Sequence, residues 1–307
     1  MTTVQNDPAQ ADARDSVTLR RSTISRYLGH YSLIIGGGGL LLLIVVAILA
    51  PLLTWHDPYF QDLTSRRIPP VWHAYFHDHP DAGWLHPLGT DALGRDYFTR
   101  LVYGARISLF VGFSVVAISC LIGTTLGVMA GYFGGKVDTV ISFIVTTRLS
   151  MPVVLVALAV VAIFDGSLKV VILVLGFLLW DRFAVVMRSV TLQIKSQEFV
   201  TAARAVGCSN LRIILTEIMP NVANSLIVVA TIEMAVAIIY EASLSFLGLG
   251  IQPPLPSWGL MLAEARSEIF FAGWMITLPG IALFLLVLFV NLLGDGVRDI
   301  TSPEGRA

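Results

Sequence analysis

Charged side chains are scarce in this chain of 307 residues. Asp, Glu, Lys and Arg make up only 13% of it and hydrophobic residues 55%, whereas soluble domains carry roughly 25% charged residues. This composition argues against a soluble protein with a single core. Cysteine is also rare: Cys120 falls in an apolar run and Cys208 in a polar loop, so no disulfide framework is implied. The net charge of -1 gives no indication of nucleic-acid binding.

Motifs for nucleotide binding and for catalysis within a membrane are missing as well. Gly134-Gly135-Lys136 is similar to the end of a phosphate-binding loop, but that motif requires Gly where this chain has Ala130 and Ser or Thr where it has Val137. The sequence has no His-Glu-x-x-His, no paired Asp, and no Ser and His at one depth of a span. We therefore expect no bound cofactor, and an intramembrane enzyme is a disfavoured alternative.

Long apolar runs are what the sequence does contain. A helix needs about 20 consecutive apolar residues to cross a bilayer, because its backbone groups must be satisfied internally. Three runs lack charge entirely, and three more are interrupted by charged residues or proline. The sequence thus predicts an all-α integral membrane protein with six transmembrane helices, at Tyr31–Trp55, Ile107–Gly135, Thr139–Phe164, Val170–Met187, Val222–Tyr240 and Ile269–Gly294.

These spans divide the chain into regions. We predict a disordered cytoplasmic leader at 1–30, a first span at 31–55, an exterior segment at 56–106, a core membrane region at 107–295 and a cytoplasmic tail at 296–307. The first run is too long for a signal-peptide core and is expected to remain as an anchor in the lipid. With both termini inside, the cytoplasmic segments hold eleven Lys and Arg residues and the exterior segments seven. This bias favours cytoplasmic termini.

The exterior segment holds five of the six histidines. His73 and His77 would share one helix face, which makes a metal site conceivable. Proline interrupts the surrounding sequence repeatedly, so no regular element presents these ligands together. We therefore predict no metal site here.

Three charged residues lie inside predicted spans: Arg148, Arg182 and Glu233. Each is costly in lipid unless it is paired or hydrated, and such residues commonly line a substrate path. We predict that Glu233 pairs with Arg148, or alternatively with Arg182, beside a polar translocation pathway. A purely structural ion pair is the other interpretation.

The polar loop at 195–221 is predicted to be a helix, a turn and a second helix between two spans. Thr201, Ala202 and Ala203 favour a helix or close contact, Gly207 suits a helix end, and Ser209 or Asn210 can cap the second helix. Pro220 then marks the start of the fifth span. A DNA-binding helix-turn-helix is disfavoured, because the loop carries a net charge of only +1. Leu211, Ile214 and Ile218 form a stripe that can bind a partner protein or pack on the spans.

At this loop the chain resembles the permease subunits of ATP-binding-cassette importers, whose cytoplasmic EAA loop runs Glu-Ala-Ala, three residues, Gly, and then a hydrophobic pair ending in Pro. The matching residues are Thr201-Ala202-Ala203, Gly207 and Ile218-Met219-Pro220, with Thr201 in place of the acidic residue and Met219 in place of Leu. The stretches HPLGTDALGRDYFTRLVYGARISL (86–109), EASLSFLGLGIQPPLPSWGLML (241–262) and NLLGDGVRDITSP (291–303) are similar to the dipeptide, oligopeptide and nickel group, in its DppC or OppC form. Departures occur at Thr146 and Ser302, where the group usually has acidic residues.

The resemblance implies a type I ABC importer permease architecture in a bacterial inner membrane, surrounded by lipid. A second permease of the DppB or OppB form, two ATPases that bind ATP and Mg, an exterior solute-binding protein and a peptide substrate are the implied partners. The EAA loop (195–221) would act as a coupling helix on an ATPase. Nickel or another small solute is the alternative substrate.

The proline-rich stretch after the fifth span is predicted to be an irregular exterior loop. We expect Glu241, Pro254 and Trp258 to gate the outer mouth or to contact the binding protein. For Trp258 alone, an aromatic anchor at the membrane interface is the alternative.

Overall fold

The computed structural model describes residues 31–76 and 82–301, and its regular elements there are helices. The predicted leader, His77, Ser302 and the end of the predicted tail lie outside these residues. The helices in chain order are α1 (Tyr31–Ile48), α2 (Ala50–Leu53), α3 (Trp72–Phe76), α4 (Tyr97–Phe133), α5 (Gly135–Leu149), α6 (Val153–Phe164), α7 (Leu168–Leu178), α8 (Asp181–Lys195), α9 (Glu198–Ala205), α10 (Asn210–Ile213), α11 (Met219–Phe246), α12 (Trp258–Ala265) and α13 (Trp274–Thr301).

Within the described ranges, five helical stretches are long and apolar enough to cross a membrane, and a bent pair makes a sixth. All six predicted runs are therefore found, but several boundaries differ. The second stretch begins at Tyr97 rather than Ile107, because the Asp96 side chain caps it by accepting from the Thr99 amide at 2.8 Å. The sixth begins at Trp274 rather than Ile269.

The third span is broken. The helices α5 and α6 meet at an angle of 82°, across a break at Ser150, Met151 and Pro152. Proline has no amide hydrogen and disfavours a helical conformation in the residue before it, so the helix ends before Pro152 and a new one follows. The run Thr139–Phe164 was predicted as one span interrupted by Arg148 and Pro152, and the structure divides it into two helices at the proline.

The fifth span also differs from its prediction. α10 runs through a π-helical turn at Ile214–Ile218 directly into α11, so one helical stretch extends from Asn210 to Phe246. Pro220 lies in the first turn of α11, where a missing amide hydrogen costs least. The predicted boundary at Pro220 is therefore wrong, because proline is tolerated at that position.

Glycine allows the longest helix to approach its neighbour closely. Gly123, Gly127 and Gly131 recur on one face of α4, and a Cβ added at any of them would lie within 3 Å of an atom of Trp180 or of α8. Helices in membranes associate through such small residues. The same applies to Gly36 of α1, whose added Cβ would lie 2.3 Å from the Leu293 amide nitrogen of α13.

Apolar side chains at the centre of the bundle come from α1, α4, α11, α12 and α13, and a second cluster joins α4 to α6, α7 and α11. A third cluster lies where α4, α8 and α11 meet the EAA loop. The helix α4 contributes to all three clusters. The EAA loop therefore packs against α4, the helix that also contributes to the other two clusters.

Candidate functional site

The EAA loop forms the predicted helix, turn and helix. α9 ends beside Gly207, whose φ of 87° lies in the left-handed region that glycine adopts without strain. Ser209 is the cap of α10, because its hydroxyl accepts from the Arg212 amide at 3.4 Å. The turn at Gly207 and the cap at Ser209 confirm the local structure expected from the sequence.

The predicted loop residues divide into an exposed and a packed set. Thr201, Ala202 and Pro220 are exposed, and Ala203 is half-buried. Leu211 is 66% exposed, whereas Ile218 is fully buried in the cluster beneath the loop and Ile214 packs against that cluster. The two interpretations of the stripe therefore apply to different residues: Ile214 and Ile218 pack on the spans, and Leu211 points outward.

Val206 is a residue of this surface that sequence reasoning missed. It is 84% exposed and precedes Gly207 at the tip of the loop. Its position could have indicated this role, because Val206 is an apolar residue between the end of α9 and Gly207.

Tyr132, near the end of α4, contacts the EAA loop. Its hydroxyl donates to Asn210 Oδ1 at 2.8 Å. The Arg204 guanidinium lies 5.1 Å from the centre of the Tyr132 ring, within the range of a cation–π contact. Tyr132 thus contacts both arms of the loop. Nothing in its local sequence distinguished this tyrosine from an ordinary one near the membrane interface.

The charges inside the spans form two ion pairs, and the preferred pairing was wrong. Arg182 Nη1 lies 3.2 Å from Glu233 Oε1, while Arg148 Nη2 lies 3.8 Å from Asp181 Oδ1. Asp181 and Arg182 are consecutive residues in the first turn of α8. Asp181 contacts the arginine that was the predicted partner of Glu233. The alternative partner, Arg182, is the one that Glu233 contacts.

The two pairs differ in the exposure of their side chains. In one pair, Arg148 is 10% exposed and Asp181 is 7% exposed. The Glu233 side chain is 2% exposed and that of Arg182 is 59% exposed. A buried carboxylate thus meets a guanidinium at the edge of the chain.

The residues assigned to an exterior gate do not form one surface. Glu241 is fully buried, and its Oε1 accepts from Ser245 Oγ at 2.8 Å and from Ser257 Oγ at 3.0 Å. Trp258 is also buried, and its Nε1 donates to the Leu101 carbonyl at 2.8 Å. Burial argues against Trp258 as an aromatic anchor in lipid, whereas its role at an outer gate stays a prediction. Pro254 is exposed, as an exterior contact requires.

A buried charge network joins the segment before α4 to α12. Arg100 Nη1 lies 2.6 Å from Asp91 Oδ2, and Arg100 Nη2 lies 2.9 Å from Glu264 Oε2. Arg95 contacts the same two carboxylates, at 2.5 Å and 2.9 Å. Burial raises the pKa of Glu264 to about 7, and Arg95 opposes that rise. Sequence reasoning missed this network, because its members are far apart in the chain.

Comparison with known families agrees with this architecture. Residues 123–304, more than half of the chain, match the model of the binding-protein-dependent transport system inner membrane component. Residues 18–70 match the N-terminal TM domain of oligopeptide transport permease C.

Curated relatives match over most of their length. The dipeptide transport system permease protein DppC of Alkalihalophilus pseudofirmus is 39% identical over 99% of this chain and 96% of its own. The glutathione transport system permease protein GsiD of Pectobacterium atrosepticum is 42% identical over 71% of this chain and 73% of its own.

A solved structure shares the fold. An inward-facing structure of the MetNI methionine ABC transporter superposes with a TM-score of 0.56 at 21% identity, and covers 66% of this chain and 97% of that one. The matched family model and the full-length relatives together show that the chain belongs to the binding-protein-dependent transport system inner membrane components, a family of multi-pass transport permeases and not of enzymes.

Proposed function

We propose that the chain is the permease subunit of an ATP-driven importer of dipeptides or oligopeptides, and that it forms half of a translocation pathway with a second permease. Support for the substrate comes from the dipeptide permease that is 39% identical over nearly the whole chain. ATP and Mg would be bound by two partner ATPases, and an exterior binding protein would deliver the peptide. Both termini would be cytoplasmic, in keeping with Arg20, Arg21 and Arg26 directly before the first span.

The observation that carries the coupling role is the pair of exposed apolar side chains at the tip of the EAA loop, Val206 and Leu211. An exposed apolar surface on a polar loop favours a protein partner. The opposite face of the loop is fixed by the buried side chains of Val200, Ile213 and Ile218. A groove on an ATPase that received Val206 and Leu211 would therefore act on a loop that is packed firmly onto the bundle.

The docking part of this proposal is tested by Val206→Asp, because a charge would have to be buried in the interface. We expect loss of the ATPases when the assembled transporter is purified through this chain. Leu63→Asp is the matched control, since Leu63 is a similarly exposed apolar residue in the segment between the first two spans. Retention of the ATPases by Val206→Asp would contradict the docking surface.

For the pathway, we propose that Arg148, Arg182 and Glu233 line the route of the peptide, with Arg182 and Glu233 as its paired element. A peptide carries both a carboxylate and an ammonium group, and each can compete for one member of this pair. The swap Arg182→Glu with Glu233→Arg should restore transport that each single variant loses. Failure of the swap to rescue folded, assembled transporter would exclude the pair as a functional unit.

The substrate is tested by uptake into proteoliposomes that contain both permeases, the ATPases and the cognate binding protein. We expect ATP-dependent accumulation of labelled dipeptides or oligopeptides. Accumulation of nickel without peptide would contradict the peptide assignment while leaving the family unchanged.

A further inference from the structure

Two histidines and one aspartate from three separate parts of the chain meet beside the start of α4. His56 follows the first span, His86 lies ahead of a tight turn, and Asp96 caps α4. One ligand atom from each of these side chains lies within 4.8 Å of the other two. This set contains neither His73 nor His77, the pair for which a metal site was conceivable from the sequence but was not predicted.

The arrangement centres on one carboxylate oxygen. Asp96 Oδ1 lies 2.8 Å from His86 Nδ1 and 3.9 Å from His56 Nδ1. The other oxygen, Oδ2, accepts from the Thr99 amide at 2.8 Å. The helix cap thus holds the carboxylate in place and leaves Oδ1 directed at both imidazole nitrogens.

These separations are close to those of a tetrahedral zinc site. Zinc binds His nitrogen and carboxylate oxygen at about 2.0–2.2 Å, so two ligands at the tetrahedral angle are roughly 3.3–3.5 Å apart. One observed separation is shorter than this and the other is longer. Rotation of the two imidazoles about their own side-chain bonds would bring the three ligand atoms, which lie within 4.8 Å of one another, around one ion.

From this geometry we propose that His56, His86 and Asp96 form a Zn²⁺ site with three protein ligands and one open position. The Asp96 side chain is buried, while those of His86 and His56 are increasingly exposed, so an ion enters from the side of the histidines. The set of two imidazoles and one carboxylate is the kind that zinc takes when one coordination position stays open to water. A bound ion would tie the end of the first span to the start of α4.

The test uses the full chain in its assembled transporter, in nanodiscs and without nucleotide, and the probe is Zn²⁺ alone. We expect the wild type to bind one more Zn²⁺ per complex than the double variant His56→Ala with His86→Ala. Each single variant should bind Zn²⁺ at least about tenfold more weakly than the wild type. His73→Ala is the matched control and should equal the wild type. Zn²⁺ should also raise the melting temperature of the wild type and not that of the double variant.

A ligand exchange keeps the proposal testable if the double variant fails to fold. His56→Cys supplies a thiolate to the same site, so added Co²⁺ should give a thiolate-to-cobalt charge-transfer band that the wild type, with Cys120 and Cys208, does not give. Equal Zn²⁺ binding by the wild type and a folded double variant would overturn the proposal, as would a folded His56→Cys variant without that band. The three side chains would then be a hydrogen-bonded cluster only.

Discussion

Replacing Gly207 tests whether the shape of the EAA loop transmits work from an ATPase to the spans. Its φ is 87°, and an L-residue with a Cβ pays about 1–2 kcal/mol for a left-handed conformation. A Cβ added there meets no described atom within 4 Å, so the cost is conformational and not steric. That cost lowers the ratio of the native turn to its alternative conformations by a factor of about 5–30.

The matched pair of variants is Gly207→Val and Gly207→Asn. Valine is β-branched and is a true outlier at positive φ, whereas asparagine tolerates that region. We expect Gly207→Val to lower peptide uptake and its coupling to ATP hydrolysis at an unchanged membrane level of the subunit, and Gly207→Asn to lower them much less. The measurement is uptake and ATP hydrolysis in proteoliposomes with all partner chains. Normal coupled transport by Gly207→Val, or an equal loss in both variants, would refute the reasoning.

Three further predictions concern stability, measured by unfolding of the solubilised chain. Gly127→Ala should destabilise it by about 1–3 kcal/mol, because the new Cβ would lie 2.4 Å from the Ala184 carbonyl oxygen. Gly38→Ala is the control and should not destabilise the chain, because a Cβ there meets no described atom within 4 Å. Arg100→Ala should cost up to about 3–5 kcal/mol, because it removes one of the two arginines that pair with Asp91 and Glu264. The exposed Arg106→Ala should leave stability unchanged. The pKa of Glu264 is raised from 4.5 to about 7, so its contribution to stability is full below about pH 4.5 and is lost as the pH rises through 7. The melting temperature should therefore fall over this range, and Glu264→Gln should reduce that fall; an unchanged slope in this variant would contradict the assignment.

The spans were predictable because length and polarity alone decide whether a helix can cross lipid. The ends of the spans were not predictable in the same way, because they depend on capping residues and prolines. The Asp96 cap extended α4 toward its amino end, and Pro152 divided the third span. Pro220 failed as a boundary because proline is harmless in the first turn of a helix.

Sequence predicted the EAA loop better than it predicted the ion pairs. The turn at Gly207 is determined by residues that are neighbours in the sequence, so the local sequence predicts it. The choice between Arg148 and Arg182 as the partner of Glu233 depends on how α5, α8 and α11 pack together, since each of the three contributes one of these residues. The contact of Tyr132 with Asn210 likewise joins two helices far apart in the chain, so it follows only from tertiary packing.

The two arms of the EAA loop lead to the two members of the Arg182–Glu233 pair. One arm, α9, follows α8, which begins at Asp181 and carries Arg182 in its first turn; the other is continuous with α11, which carries Glu233. At 1.5 Å per residue, Leu211 and Glu233 lie about 33 Å apart along one helical stretch. Under the coupling proposed above, a displacement at Leu211 would be passed along this stretch, through the π-helical turn at Ile214–Ile218, to Glu233. Because α8 packs closely against α4 at Gly123 and Gly127, a tilt of α11 relative to α8 would change the 3.2 Å separation of Arg182 and Glu233. We therefore predict that motion of the loop during transport alters the contact between the buried Glu233 carboxylate and the exposed Arg182 guanidinium.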